Sequence, residues 1–247
     1  GLAMPESQPH IFVTGATRGI GAAIVQSLAA RGAKVIGHGT RAASGILAAD
    51  LSQAGAGDEV WGAALDALDG RIDVLINNAG VFEAIPVDAP DAEWQASWAR
   101  TMQINLQGSA DLCRRMVLHA TAREVGLKGL RGRIVNVASR AAYRGDSPAH
   151  WHYAASKAGM VAMTKSIARG YAGQGVAAFA ICPGYVMTGM ADDYLASRGG
   201  DKLLADIPLG RVAQPEEVAS IATYLALDAP ASMTGAVLDV NGASFVR

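Results

Sequence analysis

Residues 11–21 read IFVTGATRGIG, in which an apolar run leads directly into a segment with glycines at positions 15, 19 and 21. The run has the composition of a buried strand, and a helical pattern follows it. Glycine permits a tight turn and lets backbone N–H groups approach a pyrophosphate at the positive end of a helix. The stretch predicts a strand, a phosphate-binding turn and a helix, although an ordinary strand-to-helix turn has the same spacing.

Further apolar runs alternate with segments of helical period, a pattern typical of parallel strands connected by helices. The runs are apolar almost throughout, as expected where helices cover both faces of a sheet. We therefore predict an α/β fold over residues 9–247: one Rossmann-like domain with a doubly wound, seven-stranded parallel sheet. The predicted strands are 11–14, 34–37, 46–49, 73–76, 133–138, 177–181 and 237–240, and the predicted helices are 20–31, 58–68, 91–125, 153–173 and 215–227.

The connection between the second and third predicted strands is unusually short. Only HGTRAASG, residues 38–45, lies between them. A parallel crossover usually takes a dozen or more residues and includes a helix. We therefore predict an extended connector without a helix and a thinly covered sheet face near Arg41.

Composition excludes several classes of protein. The chain has 247 residues, 51% hydrophobic and 17% charged, with a net charge of −1, so neither disorder nor a positive field for nucleic acid is expected. Cys113 and Cys182 have no CxxC spacing, which argues against a disulfide framework or a zinc site, and no metal is predicted. No apolar run is long enough to span a bilayer. We expect a cytoplasmic protein whose residues 1–8 are disordered or derived from a cloning tag.

Four residues apart on a predicted helix, Tyr153 and Lys157 lie on one face. A phenol has a pKa near 10, and a neighbouring cation would lower that pKa and allow proton exchange near neutral pH. A half-buried tyrosine packing over a solvated lysine is the alternative interpretation.

Polar residues follow two other predicted strands at their carboxyl ends, where open α/β sheets bind ligands. Ser139 follows residues 133–138, and Asn77-Asn78-Ala79-Gly80 follows residues 73–76. Both segments are also suited to simple capping or turn roles. One strand-to-helix loop would bring the Ser139 hydroxyl close to Tyr153.

These elements occur in one order that resembles the short-chain dehydrogenase/reductase family over essentially the whole chain. The matching motifs are TGATRGIG at 14–21, NNAG at 77–80, Asn105 in MQINLQG, Ser139, YAASK at 153–157, and Cys182-Pro183-Gly184 followed by Thr188. The resemblance implies hydride transfer between nicotinamide and a carbonyl or secondary alcohol. It implies that Tyr153 exchanges the proton, Ser139 hydrogen-bonds the same oxygen, Lys157 lowers the tyrosine pKa and holds the ribose, and Asn105 anchors a water.

The resemblance also predicts which residues hold the dinucleotide. NAD-dependent relatives carry an acid at the end of the second strand, but Gly39 stands there, and Arg18 and Arg41 could pair with a 2′-phosphate. We therefore favour NADP, with NAD as the alternative. The predicted cofactor contacts are Gly15, Thr17, Arg18, Gly19, Ile20, Gly21, Thr40, Arg41, Asp50, Leu51, Asn78, Ala79, Gly80, Tyr153, Lys157, Pro183, Gly184, Val186 and Thr188.

The substrate pocket is less defined by the sequence. The family's specificity segment corresponds to residues 187–210, a lid whose apolar side chains suggest a partly apolar pocket. Arg140, Arg144 and Trp151 could line its mouth, whereas His150 and His152 are expected on a surface loop. The residues suggesting an apolar pocket are Met190, Tyr194, Leu195, Leu203 and Leu204.

The sequence thus predicts an NADP-dependent ketone reductase similar to 3-oxoacyl-carrier-protein reductases. The alternatives are an NAD-dependent alcohol or sugar dehydrogenase and a dinucleotide-binding protein without turnover. The resemblance further implies a homodimer or homotetramer, for which Leu225, Leu227, Val237 and Leu238 offer apolar material.

Overall fold

The computed structural model of the protein describes residues 7–188 and 200–247. Its core is one seven-stranded sheet in the order β3-β2-β1-β4-β5-β6-β7, and every neighbouring pair is parallel. The chain builds outward from β1 in one direction and then continues with β4 on the other side of β1. The carboxyl ends of β1 and β4 therefore flank the crevice where such sheets bind ligands. The strands are β1 His10–Val13, β2 Lys34–Gly39, β3 Ile46–Ala48, β4 Val74–Asn77, β5 Gly132–Val137, β6 Val176–Pro183 and β7 Val237–Val240.

Helices cover both faces of the sheet. Alternate residues of β1 separate the two cores, since Ile11 and Val13 pack on one face with α1 and α8, and Phe12 packs on the other with α2 and α4. This arrangement confirms the doubly wound α/β fold. The helices are α1 Gly19–Ala30, α2 Ala56–Ala67, α3 Asp91–Met102, α4 Gly108–Thr121, α5 Ala141–Arg144, α6 Trp151–Tyr171, α7 Gly200–Ala205 and α8 Pro215–Leu227.

The predicted single helix over 91–125 is wrong in its continuity. A π-helical turn, Gln103–Gln107, separates α3 from α4, and α4 ends at Thr121. The turn places Asn105 so that its side chain bonds the backbone of Val81, which lies in the loop after β4. A bulge of this kind inside a helix re-aims one side chain and often marks a functional position.

The short connection after β2 contains no helix, as predicted. Residues 40–45 are exposed and join β2 to β3, whose first residue pairs with Gly37. The end of β2 packs directly on the loop after β1: a Cβ added at Gly37 would lie 2.6 Å from Ala16 Cβ, and one at Gly39 would lie 2.5 Å from Thr17 Cγ2. Gly37 therefore requires glycine, because the Ala16 Cβ cannot rotate away, whereas a side chain at Gly39 would have to displace the exposed Thr17 side chain.

Parts of two predicted segments lie outside the described residues, namely 1–6 of the expected disordered terminus and 189–199 of the lid with Met190, Tyr194 and Leu195. Ser7 and Gln8, which we also assigned to that terminus, accept hydrogen bonds from Arg71. In the rest of the lid, Leu203 is buried in a small cluster, against which Leu204 and Met187 pack. None of the helices within 7–188 or 200–247 is sufficiently long and apolar to cross a membrane.

Two helical glycines provide a test of the packing. In α2, Gly62 faces open space, so Gly62→Ala should raise the free energy of unfolding by about 0.5–1 kcal/mol through the helix propensity of alanine. In α1, a Cβ at Gly21 would lie 1.8 Å from the Gly15 carbonyl oxygen. Gly21→Ala should therefore lower the free energy of unfolding by about 1–3 kcal/mol. Denaturant unfolding of both variants measures the difference. Equal effects of the two substitutions would contradict the close packing of the loop.

Candidate active site

The loop after β1 is a tight, glycine-dependent turn. Gly15 and Gly19 have φ values of +62° and +54°, in the left-handed region that favours glycine. A Cβ at Gly15 would lie 2.8 Å from Ala79 Cα, so the loop lies directly on the segment after β4. It ends at the N-terminus of α1, whose unpaired N–H groups form an anion-binding end.

The segment after β4 is fastened to this loop by hydrogen bonds. The N–H groups of Asn78 and Ala79 both donate to Thr14 Oγ1 at 3.0 Å, and Asn78 Nδ2 donates to the Gly15 carbonyl at 2.9 Å. The structure thus brings the predicted cofactor residues of both motifs together. The preceding Asn77 instead points into the core, where its Nδ2 donates to Asn136 Oδ1 at 2.9 Å.

Three predicted residues converge beside this segment. A Cβ at Gly80 would lie 3.3 Å from Asn105 Oδ1 and 3.5 Å from Lys157 Nζ. The Asn105 side chain accepts from the Val81 N–H at 2.8 Å and donates to the Val81 carbonyl at 3.0 Å and to Ser156 Oγ at 3.2 Å. Asn105 therefore ties the loop after β4 to α6. Its anchoring of a water stays a prediction.

The Lys157 ammonium is buried at the centre of the site. Its Nζ donates to the Val137 carbonyl at 3.0 Å and lies 5.8 Å from the centroid of the Tyr153 ring. Burial lowers the pKa of Lys157 from 10.5 to about 8, because a charge is costly away from water. At neutral pH most of the population still carries the proton.

The Tyr153 phenol differs from the expectation. Burial raises its pKa above the usual value, and a hydrogen bond from Ser139 and the charge of Arg140 oppose this effect. Lys157 is not among the main causes of this shift, and its ammonium donates to the Val137 carbonyl. Tyr153 is therefore protonated at neutral pH, and the prediction that Lys157 lowers the phenol pKa stays a prediction.

Beyond β6 the chain returns to the glycine loop. A Cβ at Gly184, which follows Pro183, would lie 2.8 Å from Asn241 Cβ, so this turn also needs glycine. Val186 forms a bridge with Ala213, and the methyl group of Thr188 lies 3.4 Å from the position of a Cβ at Gly19. The segment predicted to hold the nicotinamide carboxamide thus reaches the start of α1.

The opposite end of the crevice carries the residues predicted to meet the adenosine. Thr17, Arg18, Thr40 and Arg41 are exposed. Within residues 7–188 and 200–247, neither arginine forms an ion pair with a carboxylate. Their exposed, planar guanidinium groups suit a phosphate, so both arginines stay the candidates for binding the 2′-phosphate.

The remaining predicted cofactor residues differ in how they are placed. Asp50 Oδ1 accepts hydrogen bonds from the Ser52 N–H at 3.0 Å and the Ser52 hydroxyl at 2.6 Å. Leu51 is buried in the core that contains Phe12, so its side chain faces away from the crevice. Ile20 is half-buried against the other core.

Sequence reasoning missed or misplaced several residues near the site. The prediction that His152 lies on a surface loop is wrong. His152 is fully buried within α6, where its Nε2 forms a hydrogen bond with Ser97 Oγ at 3.0 Å. His150 stacks on Phe82 with centroids 3.8 Å apart, and Phe82 meets the Tyr153 ring edge-on at 4.8 Å. Their ring contacts follow from loop packing, which no spacing along the chain indicates.

The buried residue His38 was also missed. It lies between two glycines at the end of β2, and that flanking pattern is the one available signal. The described ranges contain no group of three or more His, Cys, Asp or Glu side chains placed to hold a metal ion.

Comparison with known proteins adds to this geometry. Residues 15–243 match the family model described as enoyl-(acyl-carrier-protein) reductase. A 3-oxoacyl-[acyl-carrier-protein] reductase from Synechocystis is 36% identical over 94% of both chains. A D-threitol dehydrogenase from Mycolicibacterium smegmatis is 34% identical over 96% of this chain and 92% of its own.

A solved structure has the same fold. The 3-oxoacyl-(acyl-carrier-protein) reductase from Agrobacterium tumefaciens C58, with NADP bound, matches with a TM-score of 0.84 and 30% identity, covering 95% of this chain and 93% of the other. The motifs, the doubly wound sheet and these matches agree over nearly the whole chain. The protein therefore belongs to the short-chain dehydrogenase/reductase family.

Proposed function

We propose that this protein reduces small or medium ketones with NADPH, as a reductase similar to 3-oxoacyl-carrier-protein reductases. The observation that carries the proposal is the placement of a protonated phenol, Tyr153, and a hydroxyl, Ser139, beside the buried ammonium of Lys157. All three lie beyond the carboxyl ends of the central strands, next to the glycine loop. A relative that has NADP bound and relatives named as 3-oxoacyl reductases support it.

The residues present fit a dinucleotide. The close packing at Gly15 and Gly21 is possible because neither residue has a side chain, and Gly80 leaves the space beside Lys157 Nζ open. In this proposal the N-terminus of α1 receives the pyrophosphate and Thr188 the carboxamide. NADPH, when bound, supplies the hydride that adds to the carbonyl carbon.

The proton comes from Tyr153. As the carbonyl oxygen gains negative charge, the phenol donates its proton to that oxygen, and the Ser139 hydroxyl donates a hydrogen bond to the same atom. A raised phenol pKa suits a group that must start protonated. Lys157 would hold the ribose hydroxyls of the bound cofactor, and its positive charge stabilises the phenolate left behind.

Charge at the adenosine end supports NADPH. Gly39 stands where an acid would repel a 2′-phosphate, and the exposed Arg18 and Arg41 offer planar guanidinium groups to it. The proposal that the protein works in the cytoplasm is supported by its free, buried thiols at Cys113 and Cys182.

A homodimer or homotetramer is part of this proposal, through α8 and β7. Leu225 and Leu227 belong to the core of the subunit itself, so they are not available for a subunit contact. Half-buried Val237 and Leu238 and the exposed Tyr224 remain as the apolar surface.

Turnover tests the proposed chemistry. With NADPH and a panel of ketones, quinones and 3-oxoacyl esters, Tyr153→Phe should lower kcat/KM by about 10²–10⁴-fold, because the proton donor is gone. NADPH binding, followed by its fluorescence, should be retained. Tyr171→Phe at the far end of α6 is the matched control and should match the wild type. NADPH consumption that Tyr153→Phe leaves unchanged would contradict the mechanism, and NADPH binding without any turnover would favour a binding protein.

Cofactor choice has a separate test. Arg18→Gln and Arg41→Gln should each weaken NADPH binding by about 10-fold, because each removes a charged hydrogen bond to the 2′-phosphate. NADH binding should hardly change. Arg31→Gln, which breaks an exposed ion pair with Asp228 at the other end of α1, serves as the control. Tighter binding of NADH than NADPH by the wild type would overturn the cofactor assignment.

Burial of Lys157 predicts a pH-dependent stability. The folded protein loses this proton near pH 8, whereas an unfolded chain keeps it to about pH 10.5, so the cost of burying the charge is complete below pH 8 and is relieved as the pH rises through that window. Lys157→Met should therefore be more stable than the wild type at pH 7 by about 2 kcal/mol, because the pKa difference corresponds to about 3 kcal/mol and the lost hydrogen bond to the Val137 carbonyl costs about 1 kcal/mol. The difference should shrink towards pH 10, measured by denaturant unfolding. A difference that does not vary with pH would contradict the buried charge.

A further inference from the structure

His38 occupies the end of β2, between two glycines whose missing side chains let the glycine loop lie against the strand. The residue is 4% exposed, and its ring reaches two separate segments. The Gly15 N–H donates to His38 Nδ1 at 3.1 Å, and His38 Nε2 bonds the Ala49 carbonyl at 3.0 Å. The His38 carbonyl also accepts from the Ala16 N–H at 2.8 Å.

We propose that His38 is a positioning residue for the dinucleotide: its ring holds the Gly15 peptide in the left-handed turn that shapes the loop for the cofactor. This inference rests on the proposed function. Asn78 Nδ2 holds the carbonyl of Gly15, and His38 Nδ1 holds its N–H. Gly15, whose φ is +62°, is thereby held from two sides: by Asn78 in the segment after β4 and by His38 in β2.

The ring can do this in one protonation state. Nδ1 accepts from an N–H and so carries no proton, while Nε2 faces a carbonyl and must carry one. Burial lowers the pKa of His38, and the bond to the Ala49 carbonyl opposes this only in part. The neutral Nε2–H tautomer is thus the form that bridges loop and strand.

The support for the ring comes from the region of the short connection. Ala49 follows β3, which the six-residue segment 40–45 joins to β2 without a helix. Residues 40–45 are exposed, so they do not pack over the glycine loop that follows β1. The hydrogen bond to Ala49 instead fixes the ring to the neighbouring strand, and the ring in turn fixes Gly15.

Two amide variants separate the two bonds. His38→Asn places an oxygen where Nδ1 lies and keeps the acceptor for Gly15, whereas His38→Gln reaches the Nε2 position and keeps only the bond to Ala49. The His38→Gln variant should bind NADPH about 10-fold more weakly, since the Gly15 N–H loses its partner, with KM for NADPH rising and kcat changing little. The His38→Asn variant should stay within about 3-fold of the wild type.

Amide hydrogen exchange gives a second readout that needs no cofactor. Protection of the Gly15 amide should persist in His38→Asn and fall at least about 10-fold in His38→Gln, at equal global stability. Equal NADPH affinity and equal Gly15 protection in the two variants would overturn the inference, as would a loss confined to kcat. If the wild type reduces no ketone, the proposed function fails, but NADPH affinity and Gly15 exchange still decide the role of His38.

Discussion

The site depends on a steric constraint: the loop after β1 must lie in direct contact with its neighbours. With a Cβ at Gly21 only 1.8 Å from the Gly15 carbonyl oxygen, the first turn of α1 and the loop before it can close only without side chains. This closure brings the N-terminus of α1 to the crevice between β1 and β4. It also places the Gly15 carbonyl within hydrogen-bonding distance of Asn78 Nδ2, so the segments after β1 and β4 are joined at the base of the crevice.

Burial shifts the pKa values of the two titratable groups in this crevice, Tyr153 and Lys157. Lys157 is buried and Tyr153 half-buried in the crevice, and burial acts on the two groups in opposite directions: it raises the pKa of the phenol and lowers that of the ammonium. Each group is thereby shifted towards its neutral form. A neutral phenol at pH 7 is an acid ready to donate, which matches the demand of carbonyl reduction, whereas alcohol oxidation would need the phenolate first.

Sequence patterns predicted the elements that carry local signals. Both limits of α8 were correct, because Pro215 and the acids after it mark its start, and Gln214 and Glu217 form a capping box there. The predicted groups at the carboxyl ends of β1, β4 and β5 do meet, because parallel strands deliver their ends to one edge of the sheet.

What could not be predicted depends on contacts between distant segments. The π-helical turn at Gln103–Gln107 has no amino-acid pattern that distinguishes it from an α-helix. Its role depends on the hydrogen bond between Asn105 and Val81, which lies in another loop. The partner of Lys157 is a backbone carbonyl on β5, which carries no side-chain signature. The side chain of Leu51 is buried in the core that contains Phe12, a placement that its position after β3 does not indicate, and its contact with the cofactor stays a prediction.

The short connection shows how a missing element is accommodated. Ile46 pairs with Gly37, only two residues before the end of β2, so the chain has to turn back by a distance of about 7 Å, and six residues span it without a helix. The cost is an exposed stretch, 40–45, beside the predicted 2′-phosphate site. Arg41 is therefore accessible at that site. The conformation of the glycine loop is instead held by the hydrogen bonds of the buried His38 imidazole. The two proposals thus assign cofactor charge and cofactor geometry to separate residues, Arg41 and His38, three positions apart on the chain.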